Sequence, residues 1–589
     1  MGSSEISRFS DELRDASADA LVNAFANARV EEPARSGLPV LEPFYYLKNF
    51  ELVLTTILSR YSDLLLEDES HFITQFPQLP LESRALLTRM VMRRGNLFRA
   101  SKLSYAEIGE TRIAAAPLIE AGWVSDRPFL GIDQLCGLVT KPELIRCLKL
   151  PCRYTKWRKA DLAVVLKAQF CERRAFEEWY PGGYACGECV YALCIASMCE
   201  RFKLMFFGND RQSWMEFVTA DLGIFRYEKV ERSLHSRPFQ ARAHIEVFQQ
   251  IQECRVLLRE GMPLDELMAI VPLAIEDSEW LEERRQKLLF LLAREYERAG
   301  EHATALDRYL ACSYRGARLR AIRLKCRAKD WEGARRLSLL AKENPESAAE
   351  LQHVRRVMPR VNRKLKIACE PVQTAPAIPE FELIFEGPAG VGAPRVEYHV
   401  RDHLARELTD PSMVRYVENG LITALFGLLC WPAIFAPVRG AFFHDFHHGP
   451  VDLESGHFYR RRREEFEGCL AHLESGAYVS VIWRVFKEKW CVSSPFVRWN
   501  LLDRTLLQWA LDCLPAAHLR AWFEWILKDV KENRAGFPDL VQFWPEDGRY
   551  RMIEVKGPGD RLQDNQRRLL EYCVSRGMPV SVCYARWSD

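Results

Sequence analysis

At 589 residues the chain has room for about three to five domains, and its 48% hydrophobic and 28% charged content is that of a soluble globular protein. A net charge of +2 excludes global basicity as a reason to bind nucleic acid, so any such binding must come from local patches. The 18 cysteines are scattered without a framework, which excludes a disulfide-stapled secreted scaffold, and no charged n-region followed by an apolar h-region opens the chain.

Residues 5–80 read as helical, with a turn near Ser36-Gly-Leu-Pro39 and an apolar-periodic segment from Pro43 to about Leu66. Arg84 to Arg94 is amphipathic, and Arg89, Arg93, Arg94, Arg99 and Lys102 form a basic cluster around Phe98. Ala106 to Ala121 reads as a helix ending at Gly122, before the strand-like Trp123-Val124. Helices followed by a short strand suggest a winged-helix-like part within a helical domain at 1–130. The cluster is either a solvated helix face or a set of phosphate contacts.

A second unit, 131–180, holds two short helices, Lys141–Leu150 and Lys159–Lys167. A basic loop with Arg153, Lys156, Arg158 and Lys159 joins them. This resembles a SAP module, a small helix–loop–helix DNA binder whose cations suit phosphates without reading bases. Residues 181–261 form a mixed connecting region. Cys186-x-x-Cys189 with Cys194 and Cys199 raises a zinc site, but the later cysteines sit in an apolar stretch read as a helix, Val190 to Met198, so buried thiols are preferred. Met205-Phe-Phe and the run from Phe217 to Glu228 read as two strands.

From 262 to 370 the chain is helical and repetitive. Leu292, Tyr296, Gly300, Ala305, Tyr309 and Cys312 fall at tetratricopeptide-like (TPR-like) spacing, and Ala334, Ala341 and Pro345 mark a weaker second unit. Such arrays bind proteins or brace neighbouring domains. Arg315, Arg318, Arg320 and Arg323 crowd the block as a solvated face or a DNA-facing wall. A Pro/Gly-rich linker follows at 371–394, with one short strand at Phe381–Phe385.

The last module is read over 395–589. Leu421 to Val438 is the longest apolar run, but Pro432 and Pro437 interrupt it, so it is a buried core helix and not a membrane span. His444, His447 and His448 belong to a Phe-rich loop, read as hydrogen-bonded in preference to metal-binding. Arg460–Arg463 reads first as a charged helix start and second as a DNA contact.

Leu540 to Trp544, the turn Pro545-Glu-Asp-Gly548 and Tyr550 to Val555 form a β-hairpin signature. Residues two apart in a strand share a face, so Glu554 and Lys556 project together while Val555 points away. Asp539 opens the facing strand. Two carboxylates can hold a hard divalent cation, Mg²⁺ or Mn²⁺, and the ammonium can stabilise charge on a phosphate. The plain alternative is a surface hairpin with a cross-strand ion pair. Beyond Gly557-Pro558, Asp560 reads as an N-cap with Gln563 three residues on. A helix to about Ser575 stops at Gly577, and Pro579–Tyr584 is another strand. Strand, strand, helix, strand is a compact α/β nuclease core.

Pro538-Asp539…Glu554-Val555-Lys556, followed by Gly-Pro-Gly-Asp-Arg-Leu and Gln566, resembles the VRR-NUC branch of the PD-(D/E)xK nucleases. Val417-Glu418-Asn-Gly-Leu with Leu425-Phe-Gly-Leu-Leu-Cys-Trp resembles the Fanconi-anaemia-associated nuclease family. The likeness is dense over 395–589 and diffuse over 80–370. It implies Glu418, Asp539, Glu554 and the Val555 carbonyl as metal ligands, with Lys556 catalytic. Arg534, Arg561 and Gln566, with Arg89, Arg93, Arg94, Arg99, Lys156, Arg158 and Lys159, are the expected DNA contacts.

The fold class expected is mainly α with a C-terminal α/β domain. It comprises helical N-terminal and winged-helix-like parts, a SAP-like module, a degenerate TPR-like helical repeat and a PD-(D/E)xK (restriction-endonuclease-like) core. The resemblance implies a structure-specific DNA repair nuclease with 5′-flap endonuclease and 5′–3′ exonuclease activity, including at interstrand crosslinks. A Holliday-junction-type resolvase and a non-catalytic repair scaffold are the alternatives. Expected partners are branched DNA and a repair protein on the helical repeat, with no membrane. Nothing matches the ubiquitin-binding zinc finger of human-type members. That points to a bacterial member or a truncation and removes ubiquitin recruitment; the expected location is the cytoplasm at the nucleoid, or the nucleus in a eukaryote.

Overall fold

The computed structural model describes residues 42–180, 188–209, 211–214, 216–217, 220, 226–231, 236–368, 376–386, 395–406 and 412–588. Two compact units, Met1–Arg226 and Tyr227–Asp589, divide the chain. The helical reading of residues 5–41 lies outside the described residues.

In the first unit, α1 (Tyr45–Tyr61), α2 (Glu67–Gln75) and α3 (Leu81–Met92) pack around aromatic rings. Tyr46, Phe50, Val53, Ile57 and Tyr61 recur at helical spacing and are buried. Phe50 meets Phe76 edge-on at 5.3 Å between centroids, and Phe72 lies 4.5 Å from Trp123. The helix read over Ala106–Ala121 is shorter: α4 spans Thr111–Glu120. A tight turn bridging Tyr105 and Gly109 precedes it, with Gly109 at φ +77°.

Strand β1 (Leu97–Arg99) and β2 (Val124–Ser125) do not pair with each other; β5 (Val190–Leu193) lies between them, antiparallel to both. The apolar stretch read as a helix from Val190 therefore begins as a strand. Its β-branched and aromatic start fits a pleated surface, and the helix that follows, α8 (Ala196–Phe207), begins six residues later than read. The run Met205–Phe207, read as a strand, is the last turn of α8. It is buried on the core side and ended by Gly208 at φ +64°. Most of the second strand read there lies outside the described residues, as does Cys186. Of the other cysteines raised there, all free thiols, Cys199 is buried as preferred, whereas Cys189 is half-buried and Cys194 exposed.

The SAP-like unit is inserted between β2 and β5. Strands β3 (Phe129–Leu130) and β4 (Arg174–Ala175) pair antiparallel and frame α5 (Ile132–Leu138), α6 (Lys141–Cys147) and α7 (Lys159–Gln169). Thr140 and Glu143 form a capping box at the start of α6. Leu130, Leu135, Leu144, Leu162, Leu166 and Trp179 share one small core, and the Trp179 indole donates to the Leu130 carbonyl at 2.8 Å.

The second unit starts with α9 (Arg242–Glu260) and α10 (Leu264–Ala269), then a succession of paired helices. These are α11 (Glu279–Arg298), α12 (His302–Leu310), α13 (Ala317–Arg327), α14 (Trp331–Glu343) and α15 (Ala348–Leu365). Tyr296, Ala305, Tyr309 and Ala321 interlock in one core, and Gly300 at φ +87° turns α11 into α12. Three of the four arginines expected on a solvated or DNA-facing side are paired within the protein, and Arg323 is exposed. Arg318 grips Glu350 with both Nε and Nη2, Arg320 reaches Glu297, and Arg315 bonds Asp529.

A five-stranded sheet forms the C-terminal end, ordered β6 (Glu380–Glu386), β10 (Val580–Ser588), β9 (Arg549–Lys556), β8 (Leu540–Trp544), β7 (Met413–Tyr416). Strands β6 and β9 run parallel to β10; β8 is antiparallel to β9 and to β7. The strand expected inside the 371–394 linker is thus one of the two edge strands of this sheet. One sheet face packs Ile553, Val555 and Cys583 against Val400 and Leu404 of α16 (Val396–Ala405). The other packs Val541, Met552 and Val582 into the molecule's largest core. There α17 (Leu421–Leu429) is buried along its whole length, but the run expected as one buried helix to Val438 breaks after Leu429 into a second short helix, Trp431–Ile434; among the described residues no helix is long and apolar enough to cross a membrane. Each such fully buried Leu or Phe stabilises the fold by about 1.5–3 kcal/mol.

Round that core stand α18 (Arg463–Ser475), α19 (Tyr478–Glu488), α20 (Arg504–Cys513) and α21 (Ala516–Lys528). Arg462 is fully buried and bonds both oxygens of Asp452 at 2.8 and 2.9 Å, and Arg461 joins the same carboxylate at 2.7 Å. The arginine run is therefore internal bracing as much as a charged helix start. The histidine loop is held by hydrogen bonds, as expected: Phe443 N donates to His447 Nε2 and Phe446 N to His444 Nδ1, each at 3.0 Å.

Candidate active site

The hairpin forms where turn chemistry and alternation put it, with the Asp547-Gly548 turn between β8 and β9. Pleat alternation then sends Glu554 and Lys556 to one face and Ile553 and Val555 to the α16 side. Lys556 Nζ donates to Glu554 Oε1 at 2.7 Å, and Gln566 Nε2 donates to the same oxygen at 2.6 Å. Glu554 is 1% exposed, and its second oxygen, Oε2, is buried with no partner among the described residues. A buried carboxylate oxygen costs free energy until something positive meets it.

Asp539 immediately precedes β8. Its Oδ2 accepts from Val555 N at 2.9 Å, which ties the aspartate to the strand carrying Glu554. Its backbone carbonyl accepts from Val417 N and Glu418 N at 2.8 and 3.2 Å, so the loop with Glu418 is stitched to the same point. Asn419, at φ +54°, turns this loop and accepts from Phe537 N at 2.9 Å. Glu418 sits between β7 and α17, and the Tyr416 hydroxyl donates to its Oε2.

Burial drives the electrostatics. It pushes the Asp539 carboxyl up to about 6 against the Val555 N–H bond, with the Glu397 and Glu418 charges adding to the rise. Glu554 is raised further, to about 8, by burial and then by Asp539, with Lys556 opposing. Asp539, Glu554 and Glu418, with Glu397 acting on Asp539, put four carboxylates beside a single ammonium, a site short of positive charge. The donor set is hard oxygen, which fits a divalent cation in the Mg²⁺ class. As placed, no three of these acids close round one point, and the Glu418 carboxylate is engaged by the Tyr416 hydroxyl.

The other expected contact residues fall into three groups. Gln566, expected on DNA, is bonded to Glu554. The N-cap of its helix, α22 (Asp564–Ser575), is Gln563 in a box with Gln566; Asp560 instead accepts from Gly557 N at 3.2 Å. Arg89 is bonded to Glu107 at 2.7 Å and stacked on the Tyr46 ring at 3.8 Å, and Arg99 is bridged to Glu143 and Glu188. These two hold the fold together. Arg93, Arg94, Lys156, Arg158 and Arg561 are exposed, Lys159 is half-buried, and Arg534 pairs with Glu454 at 2.8 Å.

Sequence reasoning missed Tyr416 and Glu397. Tyr416 lies two residues before Glu418, a spacing that marked Glu554 and Lys556 but was not applied there. Glu397, in the first turn of α16, gave no local signal; only the tertiary fold brings its charge to Asp539.

Three family models match: "FAN1, HTH domain" over residues 44–125, "Fanconi anemia-associated nuclease SAP domain" over 129–179, and "VRR-NUC domain" over 473–587. A Fanconi-associated nuclease 1 homolog of Pseudomonas aeruginosa is 49% identical over 547 residues, covering 93% of this chain and 96% of that one. The homolog of rice is 24% identical, with 91% of this chain aligned to 62% of the relative. Two crystal structures of paFAN1, bound to DNA with a gap and a 5′ flap of 2 or 1 nucleotides, superpose with TM-scores of 0.88 and 0.84. Both are 49% identical and cover 94% and 93% of this chain and all of the solved one. With these matches, the inserted SAP unit and the Asp539–Glu554–Lys556 hairpin, the chain belongs to the Fanconi-associated nuclease 1 family, as a bacterial, metal-dependent nuclease acting on DNA.

Proposed function

We propose that this nuclease cuts branched DNA at 5′ flaps, with 5′–3′ trimming, using Mg²⁺ or Mn²⁺ held by Glu418, Asp539, Glu554 and the Val555 carbonyl. The observation that carries the reading is Glu554. One of its oxygens is fixed by Lys556 and Gln566, and the other is buried, unpartnered among the described residues and beside Asp539. The flap follows from paFAN1, whose solved complexes hold flap DNA.

A bound cation would polarise the phosphate and acidify a water. The chain's own residues do the rest. Asp539, tied to Val555 N, and Glu554, tied to Gln566, hold their carboxylates without help from solvent. Lys556 is buried next to Glu554, where an ammonium stabilises charge that develops on the phosphate. Rotation of Glu418 away from Tyr416 would complete the ligand set. The helical array offers a surface for a repair protein, and action on crosslinked DNA at the bacterial nucleoid follows the same reading.

Digestion of end-labelled flap, fork and four-way junction DNAs with Mg²⁺ or Mn²⁺ tests the proposal. Incision close to the base of the 5′ flap, lost in Glu554→Gln, is expected. Symmetric nicking of the junction in preference to the flap would replace it with a resolvase.

A further inference from the structure

The last helix of the array, α15, lies against the first turns of α22 in a polar ladder. Arg356 Nη1 and Nη2 donate to Asp564 Oδ2 and Oδ1, each at 2.6 Å. One turn earlier on α15 and one turn later on α22, Arg568 Nη1 donates to Gln352 Oε1 at 2.5 Å. Two residues beyond Asp564 is Gln566, whose amide holds Glu554 Oε1. Gly536 packs against the same turn. It has φ +95°, and a Cβ there would lie 3.1 Å from the Asn565 carbonyl carbon and 3.2 Å from Gln566 N.

The array also reaches the segment that leads to Asp539. Arg315 bonds Asp529, whose Oδ1 caps the short helix Val530–Asn533, and Lys531 Nζ lies 5.9 Å from the centre of the Tyr314 ring. Both segments are therefore gripped from more than 200 residues upstream, one by α15 and the other by the connection between α12 and α13.

We propose that Arg356 is a positioning residue for DNA cleavage: through Asp564 it fixes the first turn of α22, so that Gln566 holds Glu554 in one orientation. The array is then a working part of the catalytic centre as well as a platform. The energetics favour a role in orientation over one in stability. Arg356 and Asp564 are half-exposed, and an exposed ion pair contributes only about 0.2–1 kcal/mol to folding. A partner that orients a metal ligand, however, is worth about tenfold to a hundredfold in metal affinity or activity, and Arg356 stands behind such a partner, through Asp564 and the turn that carries Gln566. The inference rests on Glu554 being a metal ligand.

The test is a double-mutant cycle on the full chain, with Arg356→Ala, Gln566→Ala and the double variant. Single-turnover cleavage of flap DNA is measured across a Mg²⁺ titration, with flap affinity and melting temperature alongside. Arg356→Ala should lower the rate about three- to tenfold, or raise the Mg²⁺ needed for half-maximal rate by that factor, with affinity and melting nearly unchanged. On the Gln566→Ala background it should cost almost nothing more, because both act through one contact. A wild-type rate in Arg356→Ala overturns the inference. So does an equal cost on both backgrounds, or weaker affinity at unchanged rate, which would make Arg356 a DNA contact. If the alanine variant fails to fold, Arg356→Gln, which keeps the stem and a donor, is read by the same criteria. Glu554→Gln run in parallel separates the two levels: full activity there sinks the metal-site reading itself.

Discussion

Glu554 carries an argument about proton and metal at the scale of one residue. Its folded value of about 8 lies above the ordinary 4.5. Between those values the unfolded chain has released a proton that the folded, metal-free protein keeps. Stability is therefore fully present below the lower value and is lost as pH rises through the upper one. Glu554→Gln removes this liability. In chelator, its melting temperature should stand several degrees above wild type near pH 8.5 and close to it near pH 5. Saturating Mg²⁺ should close the gap by stabilising wild type alone. A gap that ignores pH would mean the glutamate is not raised. Lys556 makes a different prediction. An ammonium that acts on charge developing in the transition state should change rate more than affinity. Lys556→Ala should lower single-turnover cleavage by at least about a hundredfold with flap affinity retained. Weaker binding at unchanged rate would assign it to substrate holding.

At the scale of elements, Gly536 shows how closely the acidic segment and α22 are fitted. Its positive φ disfavours any side chain, and an added Cβ would press on backbone, which cannot swing aside. Gly536→Ala should push the first turn of α22 off its seat, lowering both the melting temperature and the cleavage rate. A variant that melts and cuts like wild type would show the turn to be slack. The elements differ in how much of them the sequence disclosed. The hairpin was legible because turn chemistry, alternation and the acid–acid–lysine spacing all lie within 18 residues. The stop at Gly577 was legible for the same local reason. Misreadings arose where local signals tie. Met205–Phe207 is a short apolar run that serves a strand or a helix end equally well. Val190–Leu193 could not be identified as the middle strand of a sheet whose neighbours lie about 65 and 90 residues away. The cap of α22 moved from Asp560 to Gln563 because Asp560 was already engaged by Gly557 N. Arg89, Arg99 and Arg318 looked like surface charge because their carboxylate partners are distant in sequence.

At the scale of the whole molecule the question is which cations meet DNA. Pairing within the protein sets aside Arg89, Arg99, Arg315, Arg318 and Arg462, since each is already engaged by a carboxylate. Lys156 and Arg158 are different. They stand exposed in the loop between α6 and α7, flanking Trp157, which is 40% exposed, and Lys159 opens α7 beside them. Exposed cations on a backbone turn neutralise phosphates without reading sequence and release counterions as they do. The triple variant Lys156→Ala, Arg158→Ala, Lys159→Ala should weaken binding to flap DNA and flatten the dependence of affinity on salt, by close to one unit of slope for each phosphate that is no longer neutralised. A short single strand that reaches only the nuclease module should be cut at the wild-type rate, because Asp539, Glu554 and Lys556 are untouched. Equal losses on both substrates would move the loop into the folding or catalytic core. An unchanged salt slope would leave it a solvated loop, and the duplex arm would have to be held by Arg93 and Arg94 or by surfaces of the second unit.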